Sequence, residues 1–282
     1  MANDRTVKYS ARFSCTCYGI FAKKEGSTAS AVTISGGTIG GAGADANKAT
    51  GSDGRGGGIY AEKATVKMTN CTFESNTATK SGGGVYASSA TVTMTNCTLS
   101  GNKADNNNGD GTSGGIYTYQ GNLTMTGCTL TGNTARLDGG GVRAESTPVT
   151  ITNCTFTGNK AKDGSGVCAF KPSNVTITKC IFKNNINALK GTAGYGGAVC
   201  ALDGANVIIT DCTLTGNKAK YGGAVAAIKN DGSTNPSYIT IKGGIIGGTN
   251  PNDANKADNL KDSGLGGGIY AVSYTHLRAH ET

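Results

Sequence analysis

One repeat runs through most of this chain and limits its fold more than any other feature. Six cysteines, Cys71, Cys97, Cys128, Cys154, Cys180 and Cys212, follow one another at 26, 31, 26, 26 and 32 residues, so the base period is 26 with insertions. Each opens a Cys-x-(Phe/Leu)-x-x-Asn segment, as in Cys71-Phe73-Asn76 and Cys154-Phe156-Asn159. A second signal, Gly-Gly-(Gly/Ala)-(Ile/Val), places Ile59, Val85, Ile116, Val142, Val167, Val199, Val225 and Ile269 in one column. A third is a short alternating run, from Val32/Ile34 and Val66/Met68 through to Ile239/Ile241. Gly37 and Gly244 stand in the Cys position of the first and last copies, which also share a related insertion at 38–49 and 245–257.

Alternation with period two means strand rather than helix. Val66 and Met68 point one way, Lys67 and Thr69 the other, and the parity slips at Asn70 so that Cys71 and Phe73 also point inward. A third short strand holds Ile59 and Ala61 inward. Three strands and three corners per period describe one coil, and only stacked coils bury a continuous apolar column. The expected fold is all-β, a right-handed single-stranded parallel β-helix (solenoid) of about eight coils, a rod ~38 Å long. Residues 1–26 are an atypical N-terminal segment, including Cys15 and Cys17, and residues 27–271 form the repeat domain, expected to be truncated. Residues 272–282 break the repeat and resemble a translated sequencing-adapter tail of a metagenomic fragment.

Composition narrows the function. The 46 glycines lack a three-residue period, which excludes a collagen-like chain and fits many tight corners. No stretch is long and apolar enough to span a membrane. The formal charge of +8 comes from scattered lysines, as in the Asn-Lys-Ala turns at 102–104, 159–161 and 217–219, with no basic stripe interleaved with aromatics. That pattern implies a solvated surface and no nucleic-acid partner.

The motifs Phe-x-x-Asn (73–76, 156–159, 182–185) and Gly-Gly-(Ala/Gly)-(Ile/Val) (56–59, 82–85, 196–199, 222–225) resemble the repeat of polymorphic outer membrane proteins and related bacterial adhesin-like β-helix proteins. The resemblance covers roughly residues 27–271, with Leu at half of the Phe positions. It implies a passenger region at the cell surface or secreted, used for adhesion, with signal peptide and anchor outside this chain.

No constellation in the sequence points to catalysis, a cofactor or a metal. The cysteine column has no Cys-x-x-Cys pair for zinc and suits buried small hydrophobes. Cys168 and Cys200 stand in the outward column of Tyr60, Tyr86 and Tyr117, one coil apart, where a disulfide is conceivable. Glu62, Glu74, Asp138, Glu145, Asp163, Asp203 and Asp211 are dispersed and do not repeat in a column on neighbouring coils. Asp105, Asn107, Asp110 and Gly111 lack calcium-loop spacing. Outward pairs Thr93/Thr95, Thr124/Thr126, Thr150/Thr152 and Thr176/Thr178 form two ranks like those of ice-binding surfaces, though β-propensity also accounts for them. Insertions at 105–113, 186–195, 50–55 and 258–265 emerge along one edge, the expected contact surface, while 228–237 lies on another. The expected function is a non-enzymatic adhesin-like module contacting a host or environmental glycan or protein at the cell surface. The alternatives are a polysaccharide lyase or glycoside hydrolase and an ice-binding β-helix.

Overall fold

The computed structural model describes residues 6–9, 19–23, 30–105, 111–187, 194–229, 235–248, 254–257, 267–272 and 277–280, with 6–9, 272 and 277–280 described by backbone alone. Its strands lie parallel in four sheets that run the length of the rod, with nine, ten, eight and eight strands in the order the chain visits them. One coil shows the path: Ile59–Glu62, Ala64–Thr69, Thr72–Glu74 and Thr77–Ala78 contribute to the first, second, third and fourth sheets. Each pairs in register with the next coil, as in Ile59 with Val85, Val66 with Val92, Phe73 with Leu99 and Thr77 with Lys103. Eight coils carry all four strands. Ile20–Lys23, from the segment that precedes the repeat, pairs with Ile59–Glu62, and Thr6–Tyr9 pairs with Ser30–Ser35. At the other end Leu277–His280 pairs with Tyr238–Lys242.

The coil therefore has four sides, not three. The Asn-Lys-Ala segments expected as turns carry the two-residue strands Lys103–Ala104, Lys160–Ala161 and Lys218–Ala219. The reason lies in the asparagine before each strand. Asn102, Asn133, Asn159, Asn185 and Asn217 are fully buried. The Nδ2 of Asn102 donates to Oδ1 of Asn133 (2.9 Å) and to the Phe73 carbonyl (3.0 Å), and the Asn102 N–H donates to the same Oδ1 (3.0 Å). This ladder fixes the corner from inside and leaves the next two residues extended, with Ala inward and Lys outward.

A residue with positive φ turns each corner: Lys63 (50°), Asn70 (55°), Ser75 (54°) and Gly82 (66°) in the second coil. Asn70 is the parity slip visible in the sequence, and Asn tolerates this left-handed conformation. At Gly82 a side chain is excluded twice, because a Cβ would also lie 2.4 Å from the Val85 carbonyl oxygen.

Inside, like stacks on like. Phe73, Phe156, Phe182, Met68, Met94 and Met125 are fully buried, and burying each such side chain contributes roughly 1.5–3 kcal/mol. The cysteine column is buried among them. Sγ of Cys128 donates to the Thr126 carbonyl (3.5 Å), and the Cys128 N–H donates to Sγ of Cys154 (3.3 Å). The contact with the next sulfur, then burial, pushes the thiols of Cys97 and Cys128 up to about 11, so both stay protonated. One position departs from its column. Thr118 stands where Ala61, Ala87, Ala144 and Ala169 stand, and its Oγ1 is buried without a hydrogen-bond partner.

Candidate functional site

The outer face of the first sheet concentrates the chemistry. Strand alternation sends positions two and four of each strand outward, giving Tyr60/Glu62, Tyr117/Tyr119, Arg143/Glu145 and Cys168/Phe170. A further column lies just before the glycine corner, where single bridges pair Arg55 with Ser81, Asp138 with Asp163 and Tyr195 with Tyr221. Near the N-terminal end, Phe21, Tyr60, Tyr86 and Tyr117 stack at 5.0, 5.2 and 5.3 Å between ring centroids. Near the other end, Tyr195, Tyr221 and Tyr270 stack at 5.1 Å per step.

Between the two stacks lies a charged cluster. Arg143 takes the next place in the ring column, its guanidinium 4.5 Å from the Phe170 ring centre and 5.7 Å from that of Tyr117. It pairs with Asp138 (3.0 Å) and Glu145 (3.1 Å). Glu145 also accepts from Tyr117 OH (2.7 Å) and Lys171 Nζ (2.7 Å). Asp163 accepts from the Tyr195 N–H (2.8 Å) and lies 3.5 Å from Lys162. Burial raises Asp138, and burial together with the Asp138 charge pushes Asp163 up to about 7. Burial also works against the Glu145 charge, but Lys171, Arg143 and Tyr117 outweigh it and hold the carboxyl low. Two aspartates one rung apart cannot both ionise cheaply, so the pair retains a proton near neutrality.

This corrects the expectation that the acids do not stack. Asp138 and Asp163 do occupy one column on neighbouring coils. Each immediately precedes its corner glycine, Gly139 or Gly164, and counting back from the glycines would have found them. Glu62 instead caps Tyr60, accepting from its OH at 2.8 Å. Glu74 lies on the third sheet, and Asp203 and Asp211 take positive-φ corners.

Cys168 and Cys200 stand where the sequence places them. They occupy the expected outward column, in register, but are fully buried there. With Leu202, Ala226 and Ile228 they form a second small core, against which Phe170, Tyr195 and Tyr270 pack. Small side chains in the strand leave space that the rings beside them fill. The structure leaves both thiols free, and burial raises each well above its ordinary value.

The other expected features fall on separate surfaces. The threonine ranks are in register on the second sheet, Thr93 with Thr124, Thr150 and Thr176, and Thr95 with Thr126, Thr152 and Thr178. Lys67 and Ile208 interrupt the first rank. Three insertions leave the fourth sheet at Ala49, Ala104 and Asn187 and rejoin the column before the glycine corner at Arg55, Thr112 and Tyr195. Residues 106–110, 188–193, 230–234 and 258–266 lie outside the described residues, as do Cys15, Cys17, Asn107 and Asp110. Asp105 pairs with Lys103 at 2.8 Å. Among the described residues no group of three or more His, Cys, Asp or Glu side chains could hold a metal ion.

The model of the family described as "Right handed beta helix region" matches residues 10–192, 58–238 and 114–274 in three overlapping alignments. No curated protein and no solved structure matches the chain. Those alignments span most of the sequence, and with the four parallel sheets they place it: the chain belongs to the right-handed β-helix family.

Proposed function

We propose that this chain is a non-enzymatic, adhesin-like module of a bacterial cell-surface or secreted protein, of the kind its resemblance to polymorphic outer membrane proteins implies. The supporting observation is the shared edge of the insertions: those at 50–54, 105–111 and 188–194 all open between the fourth sheet and the glycine corner. Insertions of different length that share their points of departure and return on a solenoid suit recognition of a partner. The test combines a glycan and protein array with reducing-sugar and unsaturated-product assays on the glycans bound. Binding without turnover is expected, and turnover of any polysaccharide would overturn the reading.

A second reading, polysaccharide cleavage, draws support from the Asp138–Asp163 pair, since a carboxyl that keeps its proton near pH 7 can act as a general acid. Against it stands access, because Asp163 is only 5% exposed. If turnover is found, its loss in Asp163→Asn would locate it at this pair.

A further inference from the structure

The fourth sheet aligns residues that look scattered in the sequence. Its outward position, followed from coil to coil, is occupied by Lys48, Thr77, Lys103, Thr134, Lys160, Ile186, Lys218 and Lys256. Lysine recurs at every second coil from the first to the seventh and again at the eighth. Lys48, Lys103, Lys160 and Lys256 are exposed, and Lys218 is half-buried. Among the described residues, none of Lys48, Lys160, Lys218 and Lys256 has an ion-pair partner. Two coils that lack a lysine in the row carry a cation a few residues further along the chain: Lys80, which pairs with Asp53, and Arg136. The acids nearby are engaged: Asp53 by Arg55 and Lys80, Asp105 by Lys103.

We infer that this lysine row is a docking track for an extended acidic polysaccharide lying along the rod. The inference rests on the adhesin-like reading and names the ligand class at the same edge. A small anion would meet one lysine, whereas a linear polymer meets the whole file. Alternate coils are ~9.6 Å apart, about the length of two sugar residues in an extended chain, so one carboxylate or sulfate per disaccharide matches the row. Each strand of a DNA duplex carries a charge every ~3.4 Å of axis, leaving about two phosphates in three without a lysine. Bases also need aromatic platforms, and the row's neighbours are Thr77, Thr134 and Ile186. A membrane would call for a broad basic face with apolar side chains to insert, whereas this sheet is two residues wide.

The experiment measures binding of the full chain to hyaluronan, which carries one carboxylate per disaccharide, with neutral dextran, anionic vesicles and single-stranded DNA alongside. A row variant, K103T/K160T/K218T, introduces the residue that the row already holds at Thr77 and Thr134. A control variant of equal charge, K67T/K183T/K242T, changes exposed strand lysines of the second and third sheets, each with a threonine as register neighbour. Unfolding curves establish that both remain folded. Hyaluronan binding is expected to weaken at least about tenfold from low to physiological salt. It is expected to weaken by a similar factor in the row variant and little in the control. Equal loss in both variants, absence of hyaluronan binding at low salt, or tighter binding to vesicles or DNA would overturn the inference. Failure of the underlying reading looks different, because it appears as shortening of the glycan. Binding of a neutral glycan or a protein that ignores the row variant would leave the adhesin-like reading standing and remove the lysine track.

Discussion

The interior of the rod and the outer face of its first sheet are built on the same rung spacing, yet they obey it differently. Inside, each column repeats one kind of side chain, and repetition is favourable: apolar groups bury one another, and each asparagine donates to the next. On the outer face the column changes character from tyrosine through arginine to cysteine and alanine. There, where like does fall on like at Asp138 and Asp163, repetition costs free energy. Arg143 and a retained proton offset that cost. Stacking is thus a rule with a sign. It rewards amides, rings and hydrocarbon and penalises charge, and along the lysine row Thr77, Thr134 and Ile186 separate most of the charges.

The largest test of this contrast is Asn133→Ala. It leaves the Asn102 N–H and one Nδ2 hydrogen of Asn102 without an acceptor and removes the side-chain donor to Asn159, all fully buried, at an expected cost of about 4 kcal/mol in urea unfolding. Next is Arg143→Met, which strands Asp138 and weakens the support of Glu145, at an expected cost of about 3 kcal/mol at pH 8 and less at pH 5.

The acid pair sharpens the comparison through pH. The folded pKa of Asp163 is raised above its ordinary 3.8 to about 7. The folded state therefore binds more protons than the unfolded state between those values. Stability falls as pH rises through that window and levels off above it. Asp163→Asn keeps an acceptor for the Tyr195 N–H and removes the charge, so it should abolish this fall and stabilise the chain by roughly 2 kcal/mol at pH 8. The smallest effect belongs to Thr118→Val. Removing an orphaned hydroxyl of nearly the same shape should raise stability by about 1 kcal/mol, read as a higher denaturant midpoint with unchanged slope.

What was legible in the sequence follows from the same physics. Strands of four to six residues display alternation, and so the Val66/Met68 and Ile59/Ala61 columns align from sequence alone. The asparagine column gave the register of the fourth sheet but not its strands, because a two-residue strand such as Lys103–Ala104 has no period to detect and reads as a turn. That register, and with it the lysine row, depends on the buried asparagines. The column containing Asp138 and Asp163 was hidden for a related reason. It lies outside the strands and after loops of variable length, so alignment from the cysteines loses it, while alignment back from the glycine corner retains it. The burial of Cys168 and Cys200 was least legible, since rings from neighbouring segments, Tyr195 and Tyr270 among them, cover these cysteines.

One register brings Asp138 beside Asp163 and the lysines into file, and carboxyl titration tests it most directly. In a chain with carbon-13-labelled aspartates, assigned through Asp138→Asn and Asp163→Asn, the pair should titrate in two separated steps, the later one near pH 7. Two independent titrations near pH 4, each unchanged by removal of the other carboxyl, would contradict the account.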